Sequence, residues 1–410
     1  MSSRQLWIAL LLAGYSVMSY VDRTLLSVAA PSIIKEFAIS ETEMGIVFSA
    51  FQLSYMLMMT PGGRWADRFG ARLVLTIMGV GAGLFTALMS AGPLLGKLIG
   101  FIPAMVLLRL GFGAFTAPLY PSTGRVNANM IPVEKRTFVQ SIINSGAGLG
   151  GALSPLLFTW MMVAFGWRRS FILAGVCTVA LALVWNATMR ETAASRAESS
   201  ARPDWGKLLR NRNLQLLTLG FAAVDYFEYI FFYWLYYYLG EIRKVPADDM
   251  AVWASMPFIA WVVMMPMGGL LADWAASRFG LRKGYRGVAV FSMAVSVAAL
   301  VGALQMDGIG ATITLLSLAF GSVAIADVVF WAGTIAIAGR QVGAAGGIMN
   351  TGGNFGGGLA PILTPMVAAR YGWSAGLYLG AAVAVIALVC WLFIDPEQPN
   401  PSEGVRPFSS

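Results

Sequence analysis

The sequence predicts an all-α integral membrane protein, with twelve transmembrane helices in two pseudo-symmetric six-helix bundles. Three observations point there. The 410 residues are 58% hydrophobic and only 12% charged, with a mean hydropathy of +0.70, whereas soluble domains carry about 25% charged residues. Long uncharged stretches recur, such as 288–306 and 375–394, and about 20 apolar residues suffice to cross a bilayer as a helix. The second half also repeats the first at an offset of 206 residues. Asn144, Gly146, Gly150, Gly151, Leu153 and Pro155 map onto Asn350, Gly352, Gly356, Gly357, Leu359 and Pro361. The same register carries Gly62, Gly63, Ala66 and Asp67 onto Gly268, Gly269, Ala272 and Asp273, Gly166-Trp167 onto Gly372-Trp373, and Tyr20 and Asp22 onto Tyr226 and Glu228. No sustained ten-residue alternation supports a barrel.

Twelve spans are expected, centred near residues 16, 53, 82, 113, 147, 178, 225, 260, 297, 324, 353 and 384. The first lacks a small-residue cleavage site and continues through Asp22 and Arg23, so it reads as a retained helix. Between Arg190 and Arg212, Ser, Ala and charges replace apolar runs. The chain therefore divides into an N-terminal bundle (1–189), a linker (190–210), a C-terminal bundle (211–396) and a Pro- and Ser-rich flexible tail (397–410). Most of the 28 Lys and Arg fall on the side that holds both termini, which predicts cytoplasmic termini in the inner (plasma) membrane. The net charge of +8 is then a topology signal rather than a nucleic-acid footprint.

Several chemistries are excluded. The chain has no His, which removes His-based metal sites and Ser-His-Asp catalysis. Cys177 and Cys390 lie in apolar spans and read as small buried hydrophobes. No cofactor, metal or catalytic constellation is expected, so the protein is not an enzyme. The glycine-rich run 343–358 has neither a preceding strand nor a closing Gly-Lys-Ser/Thr, so it is no phosphate loop. Gly146-Gly150 and Gly352-Gly356 instead predict close helix packing across the interface between halves.

Specific residues add a resemblance. Gly63-Arg-Trp-Ala-Asp67-Arg68-Phe-Gly70-Ala-Arg72, with a degenerate copy at Gly269-Leu-Leu-Ala-Asp273, resembles the loop motif of the major facilitator superfamily. Tyr20-Val-Asp22-Arg23, Ala117-Pro118-Leu-Tyr-Pro121-Ser-Thr-Gly-Arg125, Glu134-Lys-Arg136 and Trp234-Leu-Tyr-Tyr-Tyr-Leu239 look like its anion:cation symporter family, which includes sugar-acid carriers. The resemblance implies a mechanical role in conformational change for Gly63, Asp67, Arg68, Gly70, Arg72 and Asp273. It also exposes a departure: Thr116 stands where sugar-acid members carry Glu, which removes a titrating group.

Six ionisable residues fall within spans: Asp22, Arg23, Arg109, Asp225, Glu228 and Asp327. A central charge costs about 2.5–3.5 kcal/mol on insertion scales, so each needs a partner or a wet cavity. Arg109 and Arg23 are the expected substrate anchors, because a guanidinium grips a carboxylate through two parallel bonds. A permanent salt bridge to Asp22 is the competing role for Arg109, and an ion pair with its neighbours at the helix end is that for Arg23. Asp22 is the expected proton carrier, and Glu228, its repeat partner, is the second. Tyr229 (the repeat partner of Arg23), Tyr233, Thr116 and Asn350 complete the expected substrate contacts. The other aromatics of the seventh span read as facing lipid or the interface belt. Together these residues predict a secondary transporter that takes up an organic carboxylate by proton symport and acts as a monomer. An organic anion or organophosphate exchanger of the same fold is the alternative.

Overall fold

The computed structural model describes residues 3–131, 133–189, 205–338 and 341–397. The predicted linker thus lies mostly outside the described residues, as does nearly all of the tail. The described chain is helical and falls into twelve crossings. These are α1 (Ser3–Phe37), α2 (Glu41–Phe69), and α3 (Ala71–Leu88), which a 3₁₀ turn extends into Gly92–Ile99. In α4, Phe101–Thr116 continues past Pro118 as Leu119–Met130. The run Val133–Thr188 breaks at Gly166 into α5 (133–165) and α6 (167–188). After a short helix, Trp205–Arg210, come α7 (Arg212–Tyr237, ending in a π turn), α8 (Ala247–Phe279), α9 (Leu281–Ala303), α10 (Ile309–Ala338), α11 (Val342–Tyr371) and α12 (Trp373–Phe393).

Nine described helices are long and apolar enough to cross a membrane by composition alone. One of them is the α5–α6 run. Neither α1 nor α11 is among the nine, because buried polar residues dilute the first and glycines the second.

Odd and even crossings run in opposite directions, so the described ends of α1 and α12 share one face, here the terminal face. The opposite face is the distal one. Within each half the helix junctions are short. Those at α5–α6 and α11–α12 turn on Gly166 (φ 74°, ψ 160°) and Gly372 (φ 87°, ψ 160°). That conformation is essentially restricted to glycine, which accounts for the repeated Gly-Trp pair. At the terminal face, Arg72 donates to Asn186 O of α6 at 2.7 Å, and Arg286 donates to Ile394 O after α12 at 2.9 Å. Asn213 and Asp395 exchange two bonds of 3.0 and 3.1 Å that tie the start of α7 to the end of α12. Capping follows local sequence: Ser40 and Glu43 form a capping box on α2, and Asn211 caps α7.

The glycine pairs pack differently from expectation. A side chain at Gly146 or Gly150 would strike Ala13 O or Val17 O of α1, and one at Gly352 or Gly356 would strike Thr218 or Ala222 of α7. These are contacts within each half. The interface between halves is built from α2 on α11, α5 on α8 and α1 on α7. Gly148 and Gly151 approach Trp261 and Phe258 there, and Gly45 abuts Pro361 O. A spacing of four identifies a tight face but not the helix that meets it.

Two further expectations change. The aromatics of α7 are nearly all buried, because α7 lies between α1, α10, α11 and α12. Cys177 is exposed on the outer face of α6, whereas Cys390 is buried.

Replacing Gly372 by Ala is expected to destabilise the protein by roughly 1–3 kcal/mol through backbone strain. Gly347→Ala, where a side chain meets open space, should leave stability unchanged or slightly raised. Thermal melting of both variants in detergent checks this, and equal melting temperatures would contradict it.

Candidate functional site

A cavity of about 370 Å³ lies between the halves. α1, α2, α4 and α5 supply Tyr20, Arg23, Tyr55, Met59, Tyr120, Gln140 and Asn144. α7, α8, α10 and α11 supply Asp225, Glu228, Tyr229, Trp261, Asp327, Trp331, Asn350 and Asn354. The lining comes from the middle and terminal-side portions of these helices. On the distal side the halves are bonded to each other. Ser49 Oγ donates to Gly358 O at 2.6 Å, and Ser255 Oγ donates to Ala152 O at 2.8 Å. Tyr237 Oη donates to Glu41 at 2.7 Å, and the hydroxyls of Thr159 and Tyr236 are 2.9 Å apart. Phe48 stacks on Tyr233 just above the cavity, with ring centroids 4.7 Å apart. Toward the terminal face, Asn350 Nδ2 meets Met59 Sδ at 3.2 Å, and a thioether is a weak acceptor.

Arg23 is the centre of the site. It is 1% exposed, and its guanidinium donates to Tyr229 Oη at 2.8 Å. The same group lies 4.5 Å from the Tyr20 and Phe51 ring centroids and 5.1 Å from that of Tyr55. Desolvated guanidinium–ring contacts of this kind are worth up to about 2 kcal/mol each. Nε of Arg23 is buried with no partner within the protein.

Arg109 lies behind this cluster. Its guanidinium is 5.1 Å from the centroid of the same Phe51 ring and 5.4 Å from that of Phe112. It is fully buried, outside the cavity lining, and none of its three nitrogens has a hydrogen-bond partner within the protein. The described ion pairs sit near helix ends, at Arg168–Glu36, Lys244–Glu241 and Arg282–Asp395, and none involves Arg23 or Arg109. Asp22 turns instead to α6, where Thr178 Oγ1 donates to its Oδ2 at 2.7 Å.

The other expected residues separate into two groups. Tyr229, Glu228 and Asn350 line the cavity with Arg23. Trp261 Nε1 donates to Glu228 Oε1 at 3.2 Å. Asp22, Arg109, Thr116 and Tyr233 are buried beside it rather than in its wall. The Thr116 hydroxyl is spent on Phe112 O at 2.7 Å. The loop-motif residues sit at the terminal face. Gly63 packs on Pro121, Gly70 makes the α2–α3 junction, Arg68 lies 5.2 Å from the Phe69 ring, and Arg72 holds α6. Asp273 is exposed, and the side chain of Asp67 lies outside the described residues.

Several lining residues were not singled out as site residues from the sequence: Tyr55, Gln140, Trp261, Trp331 and Asn354. Asn354 had a usable signal, since it follows Asn350 by one helical turn and the two share a face. Trp261 and Trp331 had none, being two of the chain's 13 tryptophans, most of which lie in apolar helices.

Membrane-crossing helices in two repeated halves around a central cavity with buried charges are the architecture of a membrane transporter. The profile of the Major Facilitator Superfamily matches residues 12–283 and 274–409, and the chain belongs to that superfamily. Curated relatives include a probable sulfoacetate transporter of Cupriavidus necator, 29% identical over 401 residues that cover 92% of this chain and 91% of that protein. A hexuronate transporter of Bacillus subtilis is 29% identical and covers 98% and 97%. A D-galactonate transporter of Escherichia coli is 28% identical and covers 92% of each. Among solved structures, a bacterial homologue of the human lysosomal transporter Spinster, in an inward-facing and occupied conformation, superposes with a TM-score of 0.81 at 16% identity, covering 96% of this chain and 97% of that one. A D-xylose–proton symporter gives 0.73 at 14% identity, covering 96% and 99%. The chain is a multi-pass membrane transporter, not an enzyme.

Tyr229→Phe removes the acceptor of a buried guanidinium while keeping the ring. The expected cost is about 1–3 kcal/mol, seen as a lower melting temperature in detergent. An unchanged melting temperature would mean that the Arg23–Tyr229 bond contributes nothing to holding the halves together.

Proposed function

We propose that this transporter carries an organic carboxylate across the inner membrane by proton symport with alternating access. The observation that carries the reading is Arg23. It is a permanently charged fork in the cavity wall, held by aromatic rings rather than neutralised by a carboxylate, with Nε unsatisfied. A carboxylate suits such a group because two parallel hydrogen bonds match its geometry. The relatives that are transporters of hexuronate, galactonate and sulfoacetate support an organic acid.

In this reading both termini are cytoplasmic, the cavity mouth faces the cytoplasm, and the distal contacts are the closed periplasmic gate. Tyr229 and Asn350 help hold the substrate. Arg109 is a second anchor, reached when Phe51 moves aside, with Tyr233 beside it. Thr116 serves as a helix-backbone contact near the site. Asp22, buried against Thr178, and Glu228, in the cavity wall, carry the proton. The loop motif around Gly63, Asp67, Arg68, Gly70, Arg72 and Asp273 switches its contacts as the halves rock. One chain supplies both walls of the cavity, so the monomer suffices. An organophosphate exchanger is disfavoured, because among the described residues no Lys or Arg of the second half lines the cavity to meet a doubly charged phosphate.

In proteoliposomes, an inward proton gradient should drive accumulation of the carboxylate without preloaded substrate. Asp22→Asn should abolish that accumulation but retain exchange of labelled for unlabelled substrate, since exchange needs no reorientation of an empty, deprotonated carrier. Gradient-driven uptake at wild-type level in Asp22→Asn would move coupling to Glu228. Uptake that requires internal anion would instead identify an exchanger. Arg23→Lys keeps the charge but loses the fork, and should weaken binding about tenfold or more in a thermal-shift titration.

A further inference from the structure

We propose that the cavity takes a zwitterion: an organic acid that also bears a protonated amine, with its carboxylate on Arg23 and its ammonium on Asp225 and Asp327. The inference rests on the carboxylate reading above and names the other end of the same ligand.

The two walls of the cavity differ in charge. The first half contributes Arg23 as its one described ionisable lining group apart from tyrosines, whereas the second half contributes Asp225, Glu228 and Asp327. Glu228 is engaged by the Trp261 indole. Asp225 and Asp327, from α7 and α10, face the same space. An anionic hydroxy acid adds negative charge to this wall and offers it only neutral hydroxyls. An ammonium group instead meets carboxylates there, and charge-assisted bonds to it are about twice as strong as neutral ones.

A second feature asks for a donor at the same place. Asn354 is 5% exposed, lines the cavity, and its Oδ1 has no partner within the protein. Its orientation is settled by the amide's other end, since Nδ2 donates to Asn350 O at 2.8 Å. Oδ1 is thus a buried, unpaired acceptor on a cavity-lining residue, next to the α11 surface at Gly353 on which Asp225 rests. At Gly353 even a methyl group would collide with Asp225 Oδ2, at 2.5 Å. Trp331, one helical turn beyond Asp327, adds an aromatic face to this end of the cavity, and such a face attracts ammonium.

The poles are also ordered. Asp225 precedes Tyr229 by four residues on α7, a rise of about 6 Å toward the terminal face. The carboxylate therefore sits deep, at the Arg23–Tyr229 pair, and the ammonium sits nearer the mouth.

The test compares matched acids on the same carbon skeleton by thermal-shift titration of the full-length protein at pH 7. The pairs are glycine with glycolate, serine with glycerate, glutamate with 2-hydroxyglutarate, and 2-amino-2-deoxy-D-gluconate with D-gluconate. In at least one pair the amino member should bind about tenfold or more tightly than its hydroxy partner. Asp225→Asn and Asp327→Asn should erase that preference while leaving hydroxy-acid affinity unchanged or improved. If hydroxy members bind as well as amino members, or better, the zwitterion inference falls and the carboxylate reading stands. If the preference survives in both Asn variants, the assigned pole is wrong. If no member of any pair binds, both readings fall.

Discussion

The structure depends on a buried cation held between two halves of a repeated chain. Arg23 and Tyr229 occupy equivalent positions in the two halves, 206 residues apart, and they are bonded to each other. Repeat-related positions can touch only where the pseudo-two-fold axis passes between them, so this bond marks the axis. A guanidinium at that point cannot be left bare in low dielectric. The rings of Tyr20, Phe51, Tyr55 and Tyr229 surround it, and they come from α1, α2 and α7. The aromatic richness of α7 and its deep burial follow from the same need, since this helix supplies the second half's face to the charge.

The halves share a backbone plan but not a chemistry. Where the first half carries Arg23, the second carries Tyr229. Asp22 has turned away to Thr178, while its counterpart Glu228 faces the cavity. Symmetry of the scaffold permits two similar states related by rocking, and asymmetry of the side chains gives the cavity a cationic wall and an acidic wall. Bonds such as Ser49 to Gly358 O and Ser255 to Ala152 O are few and local. Such an interface can open without unfolding either bundle.

Much of this was legible in the sequence. The offset of 206 established two halves, the repeated Gly-Trp pairs marked junctions that only glycine can make, and the charges within apolar spans marked the centre. Three things were not legible. The spacing Gly146–Gly150 announces a close approach, but the partner is set by the tertiary arrangement, and it proved to be α1 rather than the opposite half. The aromatics of α7 look like an interface belt in one dimension and become core only once α7 is placed among four neighbours. Arg109 and Arg23 read as equals because both are lone cations in apolar helices. Only the packing around Phe51, whose ring both guanidiniums approach, separates the one that lines the cavity from the one that does not.

The central claim is that the two halves rock against each other about the Arg23–Tyr229 contact, so that opening one face closes the other. Double electron–electron resonance tests this most directly, after replacement of Cys177 and Cys390. One pair of spin labels at Asn129 and Lys283 spans the terminal face, and a second at Arg169 and Asp248 spans the distal face. With a bound carboxylate and a proton gradient mimicked by low pH, the account predicts that the terminal distance shortens as the distal distance lengthens, in the same fraction of molecules. Distances that stay fixed, or that lengthen together, would contradict it.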